Sequence, residues 1–216
     1  MASEKRILQA LDLVTTARLS SLGAARKEAA RQIRQILGSP NIVGIGVAEK
    51  ISSTLGPTGK LALTFYVVRK RDSRKLKGAE MVPPVVPEIL TGGRPILTDV
   101  VELGEPQPVK AAPPPDVGVK LRRDMQVSLE GSSRAGVVRD VHFRLLVDYD
   151  GSADVKFRQQ VLTTPYGRPG RSLVVLDRRT GRPAGRHAAL APHGCLFDPA
   201  GSPATGKVPA LDTPGR

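Results

Sequence analysis

The sequence predicts an α+β fold in which N-terminal helices pack on a small antiparallel sheet, followed by a short-stranded, β-rich part and a disordered tail. Three observations lead to this prediction. Apolar residues recur at helical spacing before residue 38, and they alternate with more polar residues at strand spacing between 41 and 103. Toward the C-terminus, Gly, Pro and Arg replace the apolar residues that a core needs.

Two helices are predicted at the N-terminus, over residues 4–22 and 24–37. In the second, apolar residues recur every three or four positions and form one stripe, while basic residues occupy the other faces. Gly38 and Pro40 follow. Since Pro cannot continue a helix, we expect a stop there, with Gly38 in the left-handed cap conformation. The stripe consists of Ala25, Ala29, Ile33, Ile36 and Leu37.

Three strands are predicted next, over residues 41–50, 60–69 and 95–103. The second strand alternates large apolar side chains with others, which gives it one face suited to a core. A loop of Ser, Thr, Gly and Pro separates the first two strands, so they are expected to form an antiparallel hairpin. The helical stripe should pack on the face that carries Leu61, Leu63, Phe65 and Val67.

A Pro- and Ala-rich linker is predicted from Glu105 to Asp116. Beyond it, short strands give way to a tail whose few apolar groups return less free energy than its ordering costs in entropy. Residues from 197 onward should therefore be dispensable, and Cys195 at their border should react readily with thiol reagents. The predicted domains are a helical and sheet lead-in domain at 1–103, a linker at 104–117, a β-rich region at 118–190 and a disordered tail at 191–216.

The chain is strongly basic, with a formal net charge of +13 on 216 residues. Such a charge favours weak, non-specific binding to polyanions, and a solvated, arginine-rich surface gives the same composition without any partner. Aromatic residues make up only 3% of the chain and Trp is absent, so few side chains can stack on nucleic-acid bases. No specific partner and no cofactor is predicted.

Cysteine content and hydropathy bear on the compartment. The single cysteine excludes an intramolecular disulfide, which fits a reducing environment. No apolar run approaches the length of a membrane span. We therefore predict a cytoplasmic location and no membrane association.

The densest basic run follows the second predicted strand and has six cations against Asp72. Such a run could bind phosphates or other anions, and it is also typical of a solvated loop. Gly44 and Gly46 do not precede a helix, as a phosphate-binding loop requires, so they are expected to serve a bulge or close backbone packing. The candidate anion-binding residues are Arg69, Lys70, Arg71, Arg74, Lys75 and Lys77.

A set of motifs between residues 41 and 104 carries a family resemblance. In order, the motifs are Val43-Gly-Ile-Gly-Val47, Thr58-Gly-Lys-Leu-Ala-Leu63, Phe65-Tyr-Val-Val-Arg-Lys70, the prolines near Val82-Pro83, and Thr98-Asp-Val-Val-Glu-Leu-Gly104. As a set, they resemble the N-terminal region of bacterial trypsin-like serine peptidases related to the plant narrow-leaf proteins. A basic loop follows the second strand in that family, as it does here. The resemblance covers about a third of the chain.

The resemblance implies a two-barrel peptidase, but its catalytic motifs do not follow. In the family, the catalytic His lies in a Ser-Asn-Asn-His-Val-like motif and the nucleophile in Gly-Asp-Ser-Gly, and neither motif occurs in this chain. No catalytic residue can therefore be carried over, and we predict a catalytically silent or truncated relative rather than an enzyme. A degenerate gene and a shifted reading frame after about residue 150 remain open as origins. The alternative function is a basic interaction module that binds an anionic partner such as nucleic acid.

Isolated chemistry-bearing residues have simpler interpretations. His142 stands close in sequence to Asp140, Ser132 and Ser133, which are the residue types of a nucleophilic triad. Hydroxyls and carboxylates are common near any His, so a structural or surface His is the expected role.

No metal site is predicted. His187, His193 and Cys195 match no zinc-binding spacing, and a His and a thiol in a Gly/Pro-rich tail lack the rigid surroundings that an activated thiolate needs. The Asp-rich segment 148–154 lacks the Gly and Glu positions of an EF-hand loop. Its Asp-Gly pair is typical of a hairpin turn.

Overall fold

The computed structural model shows helices, an open part of a sheet formed by the first strands, and a β-barrel formed by the later ones. It describes residues 2–15, 19–52, 54, 56–76, 78–92, 95–108, 115–148, 156–166 and 174–201. Within these ranges, no helix is both long enough and apolar enough to cross a membrane.

The described helices lie in the first half of the chain. They are α1 (Glu4–Thr15), α2 (Ala24–Leu37) and the short α3 (Glu88–Thr91). The predicted second helix is confirmed, and its stripe is largely buried. The first helix ends at Thr15, earlier than predicted, and Leu19–Ser21 form a 3₁₀ turn. Gly38 ends α2 in a right-handed conformation and donates its N–H to the Arg34 carbonyl, so the predicted left-handed cap is wrong.

Eleven strands are present in the described part of the chain. They are β1 (Ile42–Ser52), β2 (Gly56–Val67), β3 (Val85–Val86), β4 (Ile96–Glu102), β5 (Gln107–Pro108), β6 (Gln126–Leu129), β7 (Ala135–Asp148), β8 (Lys156–Thr163), β9 (Val174–Asp177), β10 (Pro183–Ala191) and β11 (Gly194–Pro199). Backbone hydrogen bonds link all of them into one sheet, in the order β3-β4-β2-β1-β7-β6-β9-β10-β11-β8, with β5 beside β10.

The first four strands combine antiparallel and parallel pairing. The predicted hairpin is confirmed, because β1 and β2 are antiparallel with Ile45 opposite Phe65. In contrast, β4 runs parallel to β2, with Val100 opposite Phe65, so an all-antiparallel sheet is wrong. A parallel pair needs a crossover of a dozen or more residues, and residues 68–95, which include α3, provide it. The C-terminal ends of β2 and β4 therefore lie side by side.

Strands β6 to β11 close into an antiparallel barrel. Around it the order is β6-β7-β8-β11-β10-β9, and β9 pairs with β6 to complete the circle. Closure leaves these six strands without a free edge. The buried apolar residues of the barrel include Val127, Leu129, Val138, Val161, Val175, Ala184, Cys195 and Phe197.

The open part of the sheet lies between the helices and the barrel. On one face, Leu11 and Ile33 of the helices pack in the same cluster as Ile45 and Phe65. The packing of the helical stripe on the β2 face is therefore confirmed. On the other face, the ring of Tyr66 meets that of Phe143 on β7 edge-on, with centroids 4.9 Å apart. Leu103, Leu162 and Leu196 complete this second interface.

The predicted fold class is wrong in three respects. The sheet is large rather than small, and it has mixed pairing. The second part is not short-stranded throughout, since β7 spans 14 residues. The predicted tail is ordered at its start, because β11 is a barrel strand in which Leu196 and Phe197 are completely buried. Composition predicted disorder for this segment because it does not show that the neighbouring strands β8 and β10 form hydrogen bonds with the backbone of β11. Residues 202–216 lie outside the described part.

Candidate functional site

A cleft of about 370 Å³ lies between the middle of β4, the end of β2 and the loop that follows β2. Four basic side chains line it: Lys50, Arg69, Lys70 and Arg71. We call this site the basic cleft. The parallel pairing of β2 and β4 creates it, because both chains leave the sheet at the same edge and the crossover has to fold back past them.

The backbone of the basic loop is held on both sides. The side chain of Asn41 donates from Nδ2 to the Arg69 carbonyl (2.9 Å) and accepts the Arg69 N–H on Oδ1 (3.1 Å), so it acts as a one-residue extension of the β1–β2 ladder. The Lys70 N–H donates to Glu102 Oε2 at 2.8 Å. These hydrogen bonds hold Arg69 and Lys70, the first two cations of the basic run, at the mouth of the cleft.

The cations of the cleft differ in their local counter-ions. Lys50 donates to the Thr98 carbonyl at 2.6 Å and lies 3.9 Å from Asp99. Arg71 lies 4.0 Å from Glu80. In the described part of the chain, no carboxylate lies within 4 Å of the side-chain nitrogens of Arg69 or Lys70, and both residues are exposed.

The remaining cations of the predicted run lie beyond the cleft. Arg74 is exposed and pairs with Asp72 at 2.8 Å, and this pairing holds the pKa of Asp72 below its usual value. Lys75 is exposed in the same 3₁₀ turn. Lys77 lies outside the described residues. The structure thus brings Arg69, Lys70 and Arg71 together and separates them from the others.

One wall of the basic cleft is apolar. Val67, Val82 and Val100 line it, and Met81 beside them is 46% exposed. The cleft can therefore offer a cationic rim and an apolar surface to the same ligand.

A buried polar pair lies on the other face of β2. The Tyr66 hydroxyl donates to Asp140 Oδ2 at 3.0 Å, and the backbone N–H of His142 donates to Oδ1 at 2.8 Å. Both side chains are buried between the sheet and the barrel. Burial raises the pKa of Asp140 to about 7, and burial beside this carboxyl raises the pKa of Tyr66 well above its usual value.

The triad candidates do not come together. The Asp140 carboxyl accepts the His142 backbone N–H rather than orienting its ring. Ser132 and Ser133 lie in the turn before β7, whereas His142 lies seven residues beyond the start of that strand at Ala135, which is about 23 Å along an extended strand. Burial lowers the pKa of the half-buried His142.

The cysteine and the other histidines are also separated by the fold. Cys195 is completely buried in the barrel, where its Sγ accepts the Tyr166 N–H at 3.4 Å. His187 is buried nearby with its ring 5.9 Å from that of Tyr166, whereas the exposed His193 lies 3.5 Å from Glu102. Within the described residues, no group of three or more His, Cys, Asp or Glu side chains could hold a metal ion.

The glycines of the Val-Gly-Ile-Gly-Val motif pack closely on β7, as predicted. A Cβ on Gly44 would lie 2.7 Å from the Phe143 ring and the Arg144 carbonyl, and a Cβ on Gly46 would collide with the Asp140 carboxyl. The Asp-rich segment, predicted to form a hairpin turn, lies mostly in residues 149–155, outside the described part.

Sequence reasoning missed Asn41 and Lys50 as lining residues of the basic cleft, and Glu102 as the acceptor that holds the backbone of Lys70. Each is distant in sequence from the basic run, and only the sheet register brings it there. Comparison with known proteins adds no identification: no protein-family model matches the chain, and no curated protein matches it.

Proposed function

We propose that this chain is a catalytically silent relative of trypsin-like serine peptidases. The observation that carries the proposal is the closed six-stranded antiparallel barrel that follows the resembling segment. Trypsin-like peptidases are built from β-barrels, so the barrel is the architecture that the motifs of residues 41–104 lead us to expect next.

The barrel also bears on the origin of the C-terminal half. Residues 156–199 supply four of its six strands and bury Val161, Val175, Leu196 and Phe197. A segment read in a shifted frame has no physical reason to complete a barrel begun by β6 and β7. This supports a degenerate relative over a frameshift.

The separation of the triad candidates supports the proposal that the chain has no peptidase activity. A serine nucleophile needs a base within hydrogen-bonding distance, and the base needs a carboxylate that orients it. Here the Asp140 carboxylate accepts hydrogen bonds from a backbone N–H and from a tyrosine hydroxyl, while Ser132 and Ser133 lie in the turn before β7. The buried Cys195 fits a reducing compartment, so we also propose a cytoplasmic location.

Labelling with a fluorophosphonate probe tests this proposal. We expect no labelling of the native chain under conditions in which trypsin reacts completely, and no difference between the native and the heat-denatured chain. Stoichiometric labelling of any serine in the native chain, lost on denaturation, would contradict catalytic silence.

A second function is favoured by the basic cleft: a module that binds an anionic partner. The observation that carries it is the exposure of Arg69 and Lys70 at the mouth of the cleft, without a carboxylate within 4 Å in the described part of the chain. Exposed cations of this kind attract anions and bind them with strong salt dependence. Binding does not require a triad, so the two proposals are compatible.

Binding of a labelled anionic probe at low and high salt tests the second function. We expect binding that weakens with salt and that is lost in the double variant R69Q/K70Q. The matched control is R178Q/R179Q, which removes two exposed arginines from the β9–β10 turn and leaves the cleft intact. Equal loss in both variants would mean that overall charge, not the cleft, binds the probe.

A further inference from the structure

We propose that the basic cleft binds an acidic peptide segment of another protein, in which a carboxylate is followed by an apolar side chain. The inference rests on the anion-binding function proposed above and specifies its ligand. Three features of the cleft lead to it: the chemistry of the rim, the apolar wall, and the balance of charges inside.

The rim suits carboxylates. Arg69 presents a planar guanidinium, which binds a carboxylate through two parallel hydrogen bonds, and Lys70 next to it adds a flexible point charge. Their backbones are fixed by Asn41 and Glu102, so only side-chain freedom is lost on binding. A fixed loop reduces the entropy cost of capturing a ligand.

The apolar wall distinguishes the cleft from a simple anion site. Val82 and Val100 line the cleft but are partly buried against the helical core, and Val67 is only 3% exposed, so Met81, which is 46% exposed, provides most of the accessible apolar surface. A methionine side chain is flexible and polarisable, and it adapts to differently shaped apolar partners. An inorganic anion would leave this wall in contact with water, whereas an apolar residue next to a carboxylate would cover it.

The charge balance favours a peptide over nucleic acid. Asp99 and Glu80 line the cleft beside its four cations. Glu102 lies at the rim, where the Lys70 N–H and then the charges of His193 and Arg69 lower its pKa. The small net positive charge that remains suits a carboxylate rather than a chain of phosphates. The residues that line the cleft in the described part of the chain include no aromatic side chain, and stacking is the main source of affinity for single-stranded bases. The cleft volume of about 370 Å³ accommodates a dipeptide-sized ligand but not a duplex.

Fluorescence anisotropy with designed peptides tests the inference. The probe is a labelled, end-blocked peptide that repeats Glu-Asp-Leu. One control peptide replaces the acids with Gln and Asn, a second replaces Leu with Ser, and a single-stranded oligonucleotide of the same net charge serves as the third. We expect the acidic, apolar peptide to bind most tightly and each control to bind several-fold more weakly.

Variants of the chain locate the site. R69Q/K70Q should lower the affinity of the chain for the acidic peptide by about tenfold or more, because charge-assisted hydrogen bonds are lost. M81S should lower the affinity for the Leu-containing peptide and leave the affinity for the Ser-containing peptide unchanged. R178Q/R179Q should have little effect. Unchanged melting temperatures show that the exposed substitutions leave the fold intact.

The outcomes separate the inference from the function on which it rests. If the oligonucleotide binds in a manner that depends on Arg69 and Lys70 while the peptide does not, the peptide inference is wrong and the anion-binding function stands. If the cleft variants and R178Q/R179Q weaken binding equally, or no anion binds, both are wrong. If M81S has no effect on any peptide, the apolar wall is not part of the site.

Discussion

The ionisation of Asp140 is coupled to folding. Its carboxyl is buried, its pKa in the folded chain is about 7, and the unfolded value is near 3.8. The folded state therefore binds the proton more tightly, and the stability contributed by protonation is complete below about pH 4 and is lost as the pH rises to 7. A pKa difference of about three corresponds to a loss on the order of 4 kcal/mol.

We predict that D140N removes this part of the pH dependence. Asn is neutral throughout, so the stability of the variant relative to the wild type should rise between pH 4 and pH 8. Urea unfolding at a series of pH values measures it, with the exposed Glu130→Gln as the control that should follow the wild type. Parallel pH profiles for the wild type and D140N would mean that Asp140 titrates normally.

Gly46 lies in the contact between the sheet and the barrel, against the Asp140 carboxyl. We predict that G46A lowers the free energy of unfolding by about 1–3 kcal/mol, because the added methyl group collides with the Asp140 carboxyl. G78A, where a Cβ meets open space, is the matched control and should be nearly neutral.

A double-mutant cycle checks the cause. If the collision is with the carboxyl, G46A should cost less in a D140A background than in the wild type. Full additivity of the two substitutions would show that the cost of G46A arises elsewhere, for example from the backbone of β1.

Strand β11 is the element that sequence composition misjudged. Its alternate residues enter two different cores: Cys195 and Phe197 face the barrel core, and Leu196 packs against the sheet layer. Ordering this segment costs conformational entropy, which its own few apolar side chains could not offset in isolation. Pairing with β8 and β10 offsets that cost.

This burial removes the basis for the ready thiol reactivity that the sequence predicted for Cys195. We predict that Cys195 reacts with a thiol reagent roughly a hundredfold or more slowly in the native chain than in urea, because reaction requires opening of the barrel. The control is C195S/S133C, which places the thiol on the exposed turn before β7 and should react at once. Rapid, complete labelling of native Cys195 would show that β11 is detached in solution.

At the scale of the whole molecule, one sheet spans both sides of the predicted linker. The β1–β7 pairing places Gly44 opposite Leu145, and Tyr66 joins the sheet layer to the barrel through its ring and its hydroxyl. The two parts therefore share both backbone hydrogen bonds and a buried interface.

This continuity predicts cooperative unfolding. Native-state hydrogen exchange should give the same opening free energy for the central amides of β2 and of β11, since neither part can lose its fold without exposing the shared interface. Protection of β11 that persists after β2 has exchanged would instead indicate two independent domains, with the boundary at the predicted linker.

The sequence by itself determined the local elements: the α2 stripe, the β1–β2 hairpin and the basic run after β2. Each depends on residues near one another in the chain, where periodicity and turn chemistry are decisive. Only the tertiary structure decided the parallel β4, the closed barrel, the burial of Cys195 and the grouping of Lys50 with Arg69. These depend on strands paired across up to a hundred residues, as between β1 and β7. A hydrophobic pattern shows which face of a strand is buried, but it does not say which strand lies beside it.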